Sequence, residues 1–257
     1  MSILSDKEIK EKIKFDRLIE NSIEDNVGPS FYELRMGDVY YDLTEDNKRI
    51  ELKNDQDVII KPGHLVVLIT KEKINIPDDL LGRIVSKGSL FSIGLSPACT
   101  NADPGFQGNM GIVTQNSSNK YIKIPQGESI AKIDFNELTT KAEKPYRGQH
   151  GYHTQIWPIK KQMQSEHAEV KTDIRIESEL NEAYKILPNS TSQVIRKLIK
   201  YQRFNTFCMI SLIILNTGLI AALNQHWIET STSFVISVLA GLFTLLVPHF
   251  SYKVLDK

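Results

Sequence analysis

Two kinds of hydrophobic pattern divide the chain. From about residue 38 to residue 135, apolar and polar positions exchange within short runs bounded by Pro-Gly and Pro-Asp-Asp turns. The stretch DVIIKPGHLVVLITKEKINIPDDLLGRIV (57–85) clusters β-branched residues between such turns. KYIKIPQGESIAKIDF (120–135), apolar at Tyr121, Ile122 and Ile124, is a further strand–turn–strand unit. These runs predict strands, and many short strands at this spacing predict a mainly β domain, a β-sandwich or barrel of Greek-key, jelly-roll character. Ahead of them, Ser5 with Glu8 three residues on and apolar Ile9 and Ile13 predict a short helix opened by a capping box.

Residues 161–203 read differently. Charges are dense, aromatics are few, and Ile176, Leu180, Tyr184 and Leu187 keep a 4-4-3 spacing that suits one stripe of a helix. Pro188-Asn189-Ser190 breaks that stripe and TSQVIRKLIKYQ restarts a helix. The segment is either a solvated linker or a helical stalk that packs against copies of itself. Beyond it, Phe204 to Ile228 contains no Asp, Glu, Lys or Arg; Glu229 interrupts, and Thr230 to Tyr252 is again free of them. Each run exceeds the ~20 residues a helix needs to cross a bilayer, and each is apolar nearly all round, where a core helix shows a polar face. They predict two transmembrane α-helices paired as a hairpin over 204–252. Arg196, Lys197, Lys200 and Arg203 precede the first span, and Lys253 and Lys257 follow the second. The connector lacks Lys and Arg and offers Trp227 as an interface anchor. That asymmetry puts both termini on the cytoplasmic side of the inner membrane. Asn216, midway along the first span, either finds a polar partner across helices or bonds its own helix backbone.

The 257 residues accommodate one domain of ordinary size, 1–160, besides these segments. Lys+Arg and Asp+Glu are both 31, so no net charge draws the chain to nucleic acid. Cys99 and Cys208, the second inside an apolar run, argue against a disulfide between them. The first residues, MSILSDKEIKEKIK, lack the apolar core of a signal peptide.

Candidate chemistry concentrates in NADPGFQGNMGIVTQN (101–116). There Asp103 sits on a Pro-Gly turn, where it can accept a sugar hydroxyl or orient a water; Phe106 either covers a ring face or belongs to the core. Lys87 followed by Gly88 and Ser89 suits a phosphate, with small residues that let backbone N–H groups approach and one positive charge. His150 and His153 form an isolated H-x-x-H that reads as surface before metal ligand. The chain also lacks the His-x-Glu and Pro-Cys-x-x-Cys pair of the zinc deaminases.

Taken in order, GPSFYELRMG (28–37), PDDLLGRIVSKGSLFSIGL (77–95), ADPGFQG (102–108), GESIAKIDF (127–135) and YRGQHGYHTQ (146–155) resemble the motifs of the dCTP deaminase/dUTPase superfamily, over about residues 5–157. The resemblance implies a dUTPase-like domain, a homotrimer with sites between subunits, and a pyrimidine deoxynucleotide as ligand. It implies phosphate contacts from Lys87, Gly88 and Ser89, sugar and base contacts from Asp103 and Phe106, and a closing segment carrying Tyr146, Arg147 and Gln149. It implies no cofactor for binding. Mg²⁺ would accompany a triphosphate, held through water by Glu33, which stands at the first motif's Asp.

The departures from the family pattern fall on its chemistry. The Glu that moves protons at the cytosine ring has its place at Val113, and valine transfers no proton. The family's first Ser and second Arg of the phosphate motif are Gly88 and Ser92, and a Lys that usually precedes the Tyr is Pro145, with Lys144 next door. Groups of this kind are each worth ~10²–10⁴-fold in rate, so deaminase activity is expected to be absent. Lys87 for Arg gives up a bidentate clamp. A dUTPase-type pyrophosphatase, with Asp103 orienting the water, stays open. Three functions compete: a nucleotide sensor whose effector is the hairpin, an architecture that resembles bacterial antiphage systems; a membrane-anchored dUTPase or dCTP deaminase-type enzyme of pyrimidine deoxynucleotide metabolism; and a trimeric structural module that clusters membrane helices.

Overall fold

In the computed structural model, residues 2–148 and 159–255 are described. They divide into two compact units, Met1–Lys161 and Gln162–Lys257. The first begins with α1 (Asp6–Asp16), whose start is fixed as the sequence predicts. The Ser5 hydroxyl accepts from the Glu8 N–H, and the Glu8 carboxylate accepts from the Ser5 N–H at 2.7 Å. Two short strands, β1 (Ile19–Glu20) and β2 (Val27–Gly28), lead to the long β3 (Phe31–Asp42). Then come β4 (Lys48–Glu51), β5 (Val58–Ile60), β6 (Leu65–Asn75) and β7 (Leu80–Ser86). A single helical turn, α2 (Gly88–Phe91), precedes β8 (Leu95–Pro97), β9 (Thr100–Ala102), β10 (Gln107–Asn116), β11 (Ile122–Ile124) and β12 (Ser129–Glu137).

All pairings are antiparallel, and the main sheet runs β8-β10-β6-β3-β12-β7-β9, while β5 and β11 pair apart from it. β3 belongs to both halves: Tyr32 faces Ile133 of β12, and Tyr40 faces Leu68 of β6. The register shifts between Met36 and Tyr40, where Gly37 passes so close that a Cβ would lie 2.9 Å from the Ile69 carbonyl oxygen. The bulge lets one strand serve two sheet directions. Alternation buries Tyr32, Leu34 and Met36 of β3 against Ile74, Ile84, Ile133 and Phe135. Each such side chain contributes about 1.5–3 kcal/mol by leaving water. β6 is buried on both faces: Val66 and Leu68 enter this core, whereas Val67 and Ile69 join Val39 and Tyr41 in a second cluster. Tyr121, expected in a strand, lies just outside β11 and is 68% exposed.

The second unit departs from a continuous stalk. Residues 162–178 hold the end of a 3-10 turn (Lys161–Met163) and the single turn α3 (His167–Val170), and Ile174 is fully exposed. Local bonds take the place of a helix: Arg175 pairs with Asp173 at 2.7 Å, and a His167 ring nitrogen meets the Glu177 carbonyl at 2.9 Å. Such short-range partners compete with helical hydrogen bonds when no apolar face is there to be buried. Of the expected stripe, α4 (Glu179–Ile186) includes Leu180 and Tyr184, while Ile176 and Leu187 fall outside it. Tyr184 is buried beneath the Arg196 guanidinium, 4.4 Å from its ring centre.

α5 then runs unbroken from Asn189 to Asn224, so no structural break falls at the predicted linker–span boundary of 203/204. Pro188 precedes it, as the breaker in the sequence requires. Among the described residues α5 is the one helix long and apolar enough to cross a membrane, and no residue of its most apolar stretch is buried. α6 (Thr230–Leu255) packs against α5, and its described side chains, Thr230–Leu242, form a shorter apolar stretch. Across the two helices the Ser237 hydroxyl donates to Asn216 Oδ1 at 2.9 Å. Of the two roles open to Asn216, the hairpin shows the interhelical one.

Candidate functional site

The Asp-Pro-Gly turn is built by backbone chemistry. Phe106 N–H donates to the Asp103 carbonyl at 2.9 Å, with Pro104 and Gly105 between them. Gly105 adopts φ +85, the left-handed position that a turn with proline before it demands. Two further bonds, Gly105 N–H to the Ile76 carbonyl and Ile76 N–H to the Phe106 carbonyl, hold the turn against the end of β6. The Asp103 side chain is left exposed on this rigid support.

The closing segment folds onto that turn. Tyr146 N–H donates to the Pro104 carbonyl at 2.6 Å, and its ring tilts against Phe106 with centroids 5.8 Å apart. A Cβ on Gly105 would lie 2.8 Å from an Arg147 nitrogen and 2.9 Å from the Tyr146 carbonyl. Arg147 reaches Asp78 at 3.7 Å. Burial, helped by the charge of Asp103, raises the Tyr146 pKa, so its hydroxyl stays protonated beside the carboxylate. Phe106 is 5% exposed and belongs to the main core, the plainer of its two expected roles. Gln149, His150 and His153 lie outside the described residues.

Lys87 gathers a second group. It follows β7, and its ammonium lies 3.0 Å from Glu33 and 3.6 Å from Glu128. Lys132, directly across the sheet from Glu33, sits 3.9 Å from its other oxygen and 3.9 Å over the Phe31 ring. Glu33, expected to assist Mg²⁺, is therefore engaged by lysines. Gly88 and Ser89 are exposed, and a Cβ on Gly88 would meet nothing within 4 Å. The Ser92 hydroxyl, where the family pattern has a guanidinium, donates to the Ser89 carbonyl at 2.7 Å.

These two groups do not meet within one chain. Gly82 of β7 pairs with Ala102, just before Asp103, whereas Lys87 lies beyond the other end of β7. At ~3.3 Å per residue the Asp103 turn and Lys87 are separated by roughly 15–20 Å along the strand. Val113 is in neither group. On β10 it pairs with Val67 and packs against the second cluster of Val39, Tyr41, Val67 and Ile69, with Leu43 and Ile159 at the margin. An apolar side chain among apolar neighbours fills the position that the family pattern gives to an acid.

Two polar clusters were not anticipated. Glu72, with no exposure, takes the Arg35 Nε–H at 2.6 Å, the Arg35 backbone N–H at 2.8 Å and the Tyr32 hydroxyl at 3.3 Å. Burial, with Glu72 adding to it, pushes the Tyr32 phenol up to about 12. The signal was present: Glu72 is in phase with Leu68 and Ile74, so a charge falls on the core side of β6. The second cluster is Asp42, Glu45 and His64, close enough to share a metal ion. Its groups are already engaged. Asp42 accepts from the Thr44 and Glu45 N–H groups and meets His64 Nδ1 at 2.8 Å, and Glu45 pairs with Lys61. These contacts make it a fastener for the turn after β3.

Comparison with known proteins agrees with the sequence motifs. A family model described as dCTP deaminase-like matches residues 3–138. A dCTP deaminase of Thermococcus kodakarensis is 34% identical over 137 residues, 53% of this chain and 86% of the relative. A dUMP-forming dCTP deaminase of Dictyoglomus turgidum is 32% identical over 178 residues, covering 61% of this chain and 92% of the relative. The crystal structure of 2'-deoxycytidine 5'-triphosphate deaminase from Agrobacterium tumefaciens superposes with TM-score 0.45 and 17% identity, over 52% of this chain and 47% of that one.

Proposed function

The chain belongs to the dCTP deaminase-like family, and we propose that it binds a pyrimidine deoxynucleotide without deaminating it, as a sensor whose output is a membrane hairpin. The observation that carries this is Val113: the acid's position holds a side chain packed among Val39, Val67 and Ile69. Proton transfer at the base has no donor there, and Gly88 and Ser92 supply neither the hydroxyl nor the guanidinium of the family pattern. Binding elements persist in the rigid Asp103 turn and the Tyr146 strap. Because the Asp103 and Lys87 groups lie at opposite ends of β7, a complete site draws on more than one copy, which supports the homotrimer the family suggests.

The membrane part rests on the unburied apolar face of α5, on the basic residues before Phe204, and on the connector without Lys or Arg. These features support the two spans, cytoplasmic termini and inner-membrane location we propose, and the likeness to antiphage architectures is one of arrangement only. Since α5 is continuous, a displacement at its basic end would pass into the span without a joint. Asp103→Ala should change how leakage of dye from proteoliposomes depends on added deoxynucleotide. A variant with the wild-type dependence would remove the link between site and hairpin.

One observation favours a second function, an anchored pyrophosphatase: Asp103 is exposed on a pinned turn, where it can orient a water. Mg²⁺ would then reach Glu33 only if Lys87 and Lys132 gave way. Release of pyrophosphate from dUTP would move this alternative ahead.

A further inference from the structure

The charges around Lys87 bear on which nucleotide the site accepts, a question that rests on the nucleotide-binding function proposed above. Lys87 is the cation of the phosphate turn, and its side chain is only 19% exposed. Two carboxylates of its own chain hold it, Glu33 at 3.0 Å and Glu128 at 3.6 Å. Lys132 does not release Glu33, for it lies farther off, at 3.9 Å, with its charge also over the Phe31 ring. The four groups sum to zero charge. A carboxylate oxygen and a phosphate oxygen are alternative partners for the same ammonium.

We propose that Glu33 and Glu128 act as built-in competitors for Lys87 and make the site select nucleoside monophosphates over triphosphates. A phosphate drawn to the ammonium competes with these two carboxylates for its three N–H donors, and either displaces one of them or shares the cation with it. Either way the carboxylates remain tethered to β3 and to the start of β12, within a few ångströms of the phosphates. Repulsion between like charges at that range grows with each phosphate added and is only partly screened at a half-buried site. A single phosphate exchanges one anion for another near Lys87; a longer chain brings excess negative charge that nothing in the four-residue cluster balances.

The test is calorimetric titration of the full-length protein in detergent with deoxycytidine mono-, di- and triphosphate in EDTA. Wild type is compared with Glu33→Gln, Glu128→Gln and the double variant. Wild type should bind the monophosphate about ten-fold more tightly than the triphosphate. The double variant should gain about ten-fold for the triphosphate and change much less for the monophosphate. Glu128, 48% exposed, tolerates replacement even if Glu33→Gln perturbs folding, and Glu128→Gln alone should shift the ratio the same way. A wild type that prefers the triphosphate, or a mono-to-triphosphate ratio unchanged in the variants, overturns the competition while leaving nucleotide binding intact. Failure of all three, and of dUMP and dUTP titrated alongside, to bind wild type and variants alike overturns the nucleotide function, and this selectivity with it.

Discussion

Replacing Arg35 by Met puts the buried centre of the β domain under direct strain. Glu72 has no exposed surface, and the Arg35 guanidinium is its only cationic partner among the described residues. The remaining donors are the residue-35 backbone N–H at 2.8 Å and the Tyr32 hydroxyl at 3.3 Å, neither of which carries charge. Breaking a buried pair by removing one member costs about 3–5 kcal/mol, because the other charge stays buried and uncompensated. For a domain of this size each kcal/mol moves the melting temperature by about 2–4 °C, so Arg35→Met should lower it by roughly 6–20 °C. Thermal unfolding of the full-length protein in detergent, followed by the β-sheet circular dichroism signal, measures this. The companion variant Arg35→Met/Glu72→Gln removes the stranded charge but keeps an acceptor for both remaining donors, and should recover at least half of the loss. A single variant that loses less than about 1 kcal/mol, or a double variant no better than the single one, would refute the account of this centre.

Three further outcomes follow from the site and the hairpin. Purified protein incubated with dCTP should yield no dUTP at enzymatic rates, about 1 s⁻¹ or above; chromatography of the nucleotides decides it, since Val113 replaces the acid. Asn216→Leu should remove the bond from Ser237 and loosen α5 from α6 by about 0.6–2 kcal/mol, read as faster amide exchange around residues 212–220, while nucleotide binding stays unchanged. In a background without Cys99 and Cys208, a cysteine at position 230 should react with an impermeant thiol reagent in intact cells; labelling only after permeabilisation would reverse the topology.

Much of the β domain is legible in the chain because its signals are local. Ser5 and Glu8 announce the first helix three residues apart, and Pro104-Gly105 announces the turn that carries Asp103. The alternation that buries Tyr32, Leu34 and Met36 lies ahead of residue 38, where the strands are expected to begin, because β3 starts at Phe31. What the sequence hides depends on tertiary partners. Glu72 becomes intelligible once Arg35 and Tyr32 are seen to converge on it from the adjacent strand. Glu33 resembles a metal-assisting carboxylate by motif position, and only the approach of Lys87 and Lys132 shows that it is engaged. The motifs alone also cannot place the Asp103 and Lys87 groups at opposite ends of β7, since motif order carries no distance. In the second unit, the 4-4-3 spacing suggests more helix than forms: Ile176 lies before α4 and Leu187 after it, and short-range bonds of Arg175 and His167 hold the segment ahead of α4 in another conformation. The abrupt change of composition at Phe204 leaves no mark on the backbone, since apolar and basic residues continue one helix equally well.

Binding without turnover is tested most directly by titrating the full-length protein calorimetrically with dCTP, dUTP, dCMP and dUMP and analysing the nucleotides in the same cell afterwards. The account predicts saturable heat for at least one of them, with every nucleotide recovered unchanged in its base. Deaminated product, or the absence of binding by all four, would contradict it.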